Sequence, residues 1–305
     1  MGEALSMPEP TKVVNVASVP QRSPFRYPGG KTWLVPYARA WLRSRRDRVE
    51  ELIEPFAGGA IIGLTAACEG LADRVTLVEM DPDIAAVWLT MLNGGGTWLA
   101  EKIAGFRLTR ESVMEILSSH PGSTRDRAFA TIIRNRVQRG GILAPGAGLL
   151  KEGENGKGIK SRWYPETLVK RILNIVAARD RVHFVHGDGL EYVARNAHKE
   201  RVAFFVDPPY AVAGKRLYKF SDVNHSRLFR MLSGVAGDFL MTYENTDEIR
   251  HLARDFRYET RAVAMKNTHH ARMTELLIGR DLHWLKPRYP SQPLFPEFGP
   301  QTPPG

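Results

Sequence analysis

The stretch Ala203-Phe204-Phe205-Val206-Asp207-Pro208-Pro209-Tyr210 sets four apolar residues before an acid, two prolines and an aromatic ring. A short apolar run bounded by prolines reads as a buried strand, so Asp207 falls at its carboxyl end, where open α/β sheets bind ligands. Each proline ring fixes its own φ and restricts the residue before it, which turns the Asp207 carboxylate and the Pro208 carbonyl into two acceptors at a set spacing. Two such acceptors suit a conjugated amine, whose lone pair must be localised before it can attack. Tyr210 beside them can stack on a flat base. The plain alternative is a strand-ending acid with a Pro-Pro turn and an exposed tyrosine.

Similar runs occur at Glu51–Pro55, Val75–Val78, Val182–Val185 and Phe239–Thr242 and alternate with amphipathic stretches of helix length. That alternation predicts an α/β fold built on a mostly parallel sheet. From 94 to 179 the rhythm changes. The apolar spacing becomes helical there, and a glycine- and lysine-rich loop covers 140–160, longer than an ordinary connection. We expect a catalytic domain over 23–93 and 180–283 and an inserted, mainly helical region over 94–179. A polar tail over 1–22 and a proline-rich tail over 284–305 should be disordered.

Upstream, Glu51-Leu52-Ile53-Glu54-Pro55-Phe56-Ala57-Gly58-Gly59-Ala60 reads as strand, tight glycine turn and helix, with Glu79 ending the next strand. An acid about twenty residues beyond a glycine turn is spaced to accept the hydroxyls of a ribose. The order of Gly58, Gly59 and Gly63 does not satisfy GxGxxG, and a phosphate cradle would need a GK[ST] lysine that is missing here. Gly29-Gly30-Lys31 precedes a helix-like stretch, Trp33–Leu42, so Lys31 is expected either to pair with a ligand carboxylate or to lie solvated in a first turn.

The 305 residues are 43% hydrophobic and 25% charged, with a net charge of +10 and a pI near 9.8. Such a balance draws a protein to polyanions such as nucleic acid. Cys68 is the only cysteine, which excludes an internal disulfide and a CxxC-type zinc site. His269-His270 has no partner at metal-ligand spacing, so no metal is expected. The absence of a membrane-length apolar run points to a cytoplasmic protein.

In order along the chain, these blocks resemble the Dam-like (D12 class) adenine-specific DNA methyltransferases, over roughly 23–279. The GGK segment comes first, followed by EPFAGG, an insertion and DPPY. Asn135-Arg136 with Gly140-Gly141-Ile142-Leu143 is similar to the family's NRT-x-x-SGIL stretch, with Val137 replacing threonine. Arg162-Trp163-Tyr164 is similar to its RFN-like element. Lys215-Arg216-Leu217-Tyr218, His225, Thr242-Tyr243-Glu244-Asn245 and Glu275-Leu276-Leu277-Ile278 fall where subgroup motifs lie.

The resemblance implies a Rossmann-like methyltransferase sheet that uses S-adenosyl-L-methionine to methylate the N6 amine of an adenine flipped out of double-stranded DNA. Asp207, Pro208, Pro209 and Tyr210 would be catalytic. The cofactor's methionine end would lie against Tyr27, Gly30, Lys31, Pro55, Phe56, Gly58 and Gly59. Its ribose would rest on Glu79 beside Met80, its adenine near Asp188, and its methyl group would face Asp207. DNA would be held by Arg26, Arg134, Asn135, Arg136, Arg139, Lys151, Lys157, Lys160 and Arg162. At least one of Arg134, Arg136 and Arg139 would read a base and the loop lysines would hold phosphates. The resemblance implies association with the nucleoid through DNA, a monomer or weak dimer, and room for a cognate restriction endonuclease acting separately. Two other readings stand beside it: an adenine-N6 RNA methyltransferase, and a catalytically silent nucleic-acid-binding relative.

Overall fold

The computed structural model describes residues 19–26, 30–144, 146–151, 156–209, 223–266 and 272–285. Its centre is a seven-stranded sheet made of β1 (Glu51–Glu54), β2 (Arg74–Glu79), β3 (Val182–His186), β4 (Val202–Val206), β5 (Asp238–Glu244), β6 (Glu259–Lys266) and β7 (Arg272–Gly279). The order across the sheet is β3-β2-β1-β4-β5-β7-β6. Strands β1 to β5 pair in parallel, while β7 runs antiparallel to both β5 and β6. The α/β fold expected from the apolar runs is what forms, with the Rossmann-like sheet that the resemblance implies, and the five runs supply β1 to β5.

Parallel strands covered on both faces read as continuous apolar runs, and β1 and β4, adjacent at the middle, are buried along their whole length. From β1 the chain builds outward through β2 and β3, then crosses back to lay β4 and β5 on the other side. The carboxyl ends of β1 and β4 therefore flank the point where strand order reverses, the place at which such sheets open a crevice.

Ten helices surround the sheet among the described residues. They are α1 (Val35–Ser44), α2 (Ile61–Glu69), α3 (Pro82–Thr90), α4 (Gly96–Ala104), α5 (Arg110–Ser118), α6 (Thr124–Val137), α7 (Pro165–Ala177), α8 (Gly189–Asn196), α9 (His225–Ser233) and α10 (Asp247–Asp255). The inserted region is helical, as its spacing predicts, but it does not bury a core of its own. Leu99, Ile103, Ile132, Ile133 and Ile172 belong to one continuous apolar cluster with Leu52, Val75 and Leu77 of the sheet. Caps mark the helix starts: Asp81 accepts from the Asp83 amide, Ser123 from Asp126 and Thr109 from Ser112. None of the described helices is long and apolar enough to cross a membrane.

The described residues reach past both expected boundaries. Val19 is buried in the core, the Arg22 guanidinium lies 3.1 Å from Glu69, and Trp284 and Leu285 pack against the same apolar cluster. The β6–β7 hairpin is a further addition. Glu259-Thr260-Arg261 carries two charges in its first three positions, and Glu275-Leu276-Leu277-Ile278 has no alternation, so neither segment announces a strand.

Two loops of the crevice meet at a glycine. A Cβ added at Gly189, the first residue of α8, would stand 2.0 Å from the Pro55 carbonyl oxygen. Backbone contact of that closeness tolerates no side chain, so Gly189→Ala should cost about 1–3 kcal/mol. The expected result is a lower urea midpoint with an unchanged slope. An unchanged midpoint would show that the two loops are not held in contact.

Candidate functional site

Asp207 follows directly on β4, and its Oδ1 is fixed from two sides. The Thr242 hydroxyl, on neighbouring β5, donates to it at 2.6 Å, and the Lys31 ammonium lies 3.2 Å away. Oδ2 has no partner among the described residues, and the side chain keeps 24% of its surface exposed. One carboxylate oxygen is thus used to set the rotamer while the other retains its acceptor capacity.

Lys31 is itself almost wholly buried, between Asp207 and Glu275 of β7. Both Glu275 oxygens stand 3.1 Å from its Nζ. Burial favours the neutral amine, but the charges of Asp207 and Glu275 outweigh it, so the Lys31 pKa is raised and the group is an ammonium at neutral pH. A third carboxyl, Glu54, ends β1 fully buried and accepts from the Gly63 amide at 2.8 Å. Burial, reinforced by the Asp207 charge, pushes Glu54 well above the usual carboxylate range. Behind them the Tyr243 hydroxyl shares a 2.9 Å hydrogen bond with His225 Nδ1. Burial, then the Asp207 charge, raises the Tyr243 pKa, and burial lowers that of His225.

The glycine turn after β1 is strained in the way its sequence requires, with Gly58 at φ 45° and Ala60 at φ 48°. Glu79, at the end of β2, ties this turn to the next one. Its Oε2 accepts from the Gly58 amide at 2.9 Å and its Oε1 from the Asp81 amide at 2.8 Å. Burial outweighs those two donors and raises the Glu79 carboxyl to about 7. Met80 beside it is 39% exposed. Asp188 caps α8, its Oδ1 accepting from Leu190 at 2.7 Å and Glu191 at 3.3 Å. Pro55, Phe56, Gly58, Gly59, Glu79, Met80, Asp188, Pro208 and Pro209 all lie at the carboxyl ends of β1 to β4 or in the turns that follow. Gly30 immediately precedes Lys31. Tyr27 and Tyr210 lie outside the described residues, as do Lys215–Tyr218 and His269-His270.

Several expectations need correction. Lys31 was a candidate partner for a ligand carboxylate or a solvated residue; it is instead buried on two carboxylates of the protein itself. Asn135 and Arg136 were expected at the DNA surface. Asn135 is fully buried: its Oδ1 accepts from the Arg26 amide at 2.8 Å, and its Nδ2 donates to the Arg26 carbonyl at 2.8 Å and the Gly141 carbonyl at 2.7 Å. Arg136 is 6% exposed and donates to the Pro24 carbonyl. Neither side chain can reach a base edge from there. Arg134 is half-buried against Asp83 at 3.4 Å, which Arg127 also approaches at 3.3 Å. Arg139, Lys151, Lys157 and Lys160 are exposed, and Arg26 and Arg162 are half-buried.

Glu54, Thr242 and Glu275 were not among the expected site residues. Each is a polar residue directly beside an apolar run, in Leu52-Ile53-Glu54, Leu240-Met241-Thr242-Tyr243 and Glu275-Leu276-Leu277. That signal was open to reading, because a buried charge without a partner is too costly to keep.

No protein-family model matches the chain, and no curated protein does. Among solved structures the chain is similar to the rRNA methyltransferase aviRa from Streptomyces viridochromogenes, at 14% identity over 83% of this chain and 86% of that one, with a TM-score of 0.39. It is similar also to a precorrin-6y C5,15-methyltransferase from Geobacter metallireducens, at 10% identity over 79% of this chain and 85% of that one, with a TM-score of 0.34. Both likenesses are remote and assign no residue a role.

The raised Glu79 carboxyl makes stability depend on pH. A carboxyl near 4.5 in the unfolded chain and about 7 in the folded one stabilises the fold most below the lower value, and loses that contribution as pH rises through the higher one. The shift corresponds to roughly 3 kcal/mol. Glu79→Gln should therefore flatten the decline in unfolding free energy between pH 4.5 and 7.5, measured by urea titration. A decline as steep as in the parent protein would place the Glu79 pKa near its ordinary value.

Proposed function

We propose that this protein transfers a methyl group from S-adenosylmethionine to the N6 amine of an adenine flipped out of duplex DNA. The observation that carries the reading is Asp207: a carboxylate at the switch point of the sheet, with Oδ1 held by Thr242 and Lys31 and Oδ2 left to accept. Delocalisation into the ring makes adenine N6 a poor nucleophile. One amine hydrogen taken by Asp207 Oδ2 and the other by the Pro208 carbonyl would localise the lone pair.

The chemistry of the donor set fits the cofactor. Asp207 and Glu275 share one ammonium, so the crevice is short of positive charge and suits a sulfonium. A carboxylate has about four acceptor positions, so Glu79 retains capacity for a ribose hydroxyl beside the backbone amides of Gly58, Met80 and Asp81. When bound, S-adenosylmethionine supplies a methyl group already activated by its positive sulfur. The protein's part is then position and electrostatics. Lys31 and Thr242 hold Asp207 in one rotamer, and the Asp207 carboxylate would stabilise the positive charge that the amine gains on attack. Tyr210 stacking on the base would offset part of the few kcal/mol that flipping costs.

The choice of DNA over RNA rests on the GGK block and on the likeness of Asn135–Leu143 to the adenine-specific DNA enzymes. Exposed Arg139, Lys151, Lys157 and Lys160 supply positive charge for the backbone of either nucleic acid.

Incubation with labelled S-adenosylmethionine and duplex DNA should yield N6-methyladenine, with structured RNA unlabelled. Asp207→Ala should lower kcat by about 10²–10³ and leave cofactor affinity largely intact. Label on RNA alone would overturn the choice of substrate. A turnover of Asp207→Ala within tenfold of the parent would remove Asp207 from the chemistry.

A further inference from the structure

Glu275 carries a charge that the balance of the Lys31 cluster does not require. It lies on β7, 2% exposed, and the three residues after it, Leu276, Leu277 and Ile278, are wholly buried. Its register partners are Glu244 on β5 and Val263 on β6. Both its oxygens stand 3.1 Å from Lys31 Nζ, and the same ammonium lies 3.2 Å from Asp207 Oδ1.

One ammonium neutralises one carboxylate. With Asp207 alone Lys31 would form a closed pair, yet the chain sets a second and more deeply buried carboxylate on the same nitrogen. Burying a carboxylate removes it from water at a cost that half a cation does not offset, so pairing by itself gives no reason for Glu275 to be acidic. What the sharing does achieve is a surplus: the three groups together hold one negative charge next to Asp207. Burial, then the Asp207 charge, pushes Glu54 well above the usual carboxylate range, which makes Glu54 a poor source of that surplus.

We propose that Glu275 is the residue by which the crevice distinguishes a sulfonium cofactor from its neutral thioether product. This rests on the reading that S-adenosylmethionine occupies the crevice with its methyl group toward Asp207. The two ligands differ by one methyl group and one positive charge, and a fixed negative charge in a poorly solvated wall attracts only the charged one. Glu275 acts through Lys31. By sharing the ammonium it leaves Asp207 incompletely compensated; in its absence Lys31 and Asp207 would cancel. A weaker hold on the thioether also favours its departure once the methyl group has been transferred.

The test titrates the full chain calorimetrically with S-adenosylmethionine and with S-adenosylhomocysteine, and compares the ratio of the two Kd values. Glu275→Gln and Glu275→Leu are carried side by side, so that the outcome does not depend on one neutral side chain being accommodated. The parent should prefer the sulfonium, and either variant should reduce that preference by about fivefold to twentyfold. Adding Lys31→Gln to Glu275→Gln leaves the single charge of Asp207, and the preference should return. A merely structural role predicts the opposite, a double variant no better than the single one. Equal affinity of the parent for both ligands, or variants that weaken both ligands alike, would overturn the proposal. If the parent shows the preference through Glu275 yet methylates no nucleic acid, the function proposed above falls and the role of Glu275 stands. If it methylates DNA and the ratio is unchanged in the variants, the reverse holds. A parent that binds neither ligand overturns both.

Discussion

The triad of Lys31, Asp207 and Glu275 is the interaction around which the crevice is arranged. Two carboxylates that close together would repel, and each would bind a proton more tightly, unless a cation stood between them. Lys31 supplies it from the start of the chain, Asp207 from the end of β4 and Glu275 from the antiparallel strand β7. Thr242 adds a neutral donor that selects which Asp207 oxygen is committed. Loss of Lys31 would leave two carboxylates facing each other without their cation, whereas loss of either carboxylate would leave a compensated pair.

A second constraint ties the helical insertion to residues 24–26. Asn135 acts as a substitute strand partner for Arg26, taking its amide and giving to its carbonyl, and its remaining amide hydrogen holds Gly141. The same helix places Arg136 on Pro24. The insertion therefore holds the backbone of Pro24 and Arg26 against α6.

The parallel strands were legible because burial on both faces leaves unbroken apolar runs, and Ala203–Val206 followed by Asp207-Pro208-Pro209 located the crevice at once. The β6–β7 hairpin was not. Its charges at one end and lack of alternation at the other conceal a strand whose identity comes from being wedged between β5 and β6. Asn135 and Arg136 misled for a related reason: polar residue types suggest an exposed face, and the sequence does not say that the carbonyls of residues 24 and 26 lie close enough to satisfy them inside. Glu79 was placed correctly at its strand end. That both its oxygens also serve the backbone of two turns is a tertiary fact with no local sign.

The position of Glu275 bears on how the molecule comes into being. Its bond to Lys31 closes a loop of 244 residues, and β7 reaches its place only by entering between β5 and a strand made just before it. Contacts so remote along the chain form late, after the local helices and the β1–β4 half of the sheet. On the ribosome, Asp207 would emerge and fold beside Lys31 with one negative charge balanced, and the complete charge pattern would arrive only with the closing hairpin. The crevice would thus acquire its final electrostatic character in the last step of folding, which keeps a partly made chain from presenting a finished site.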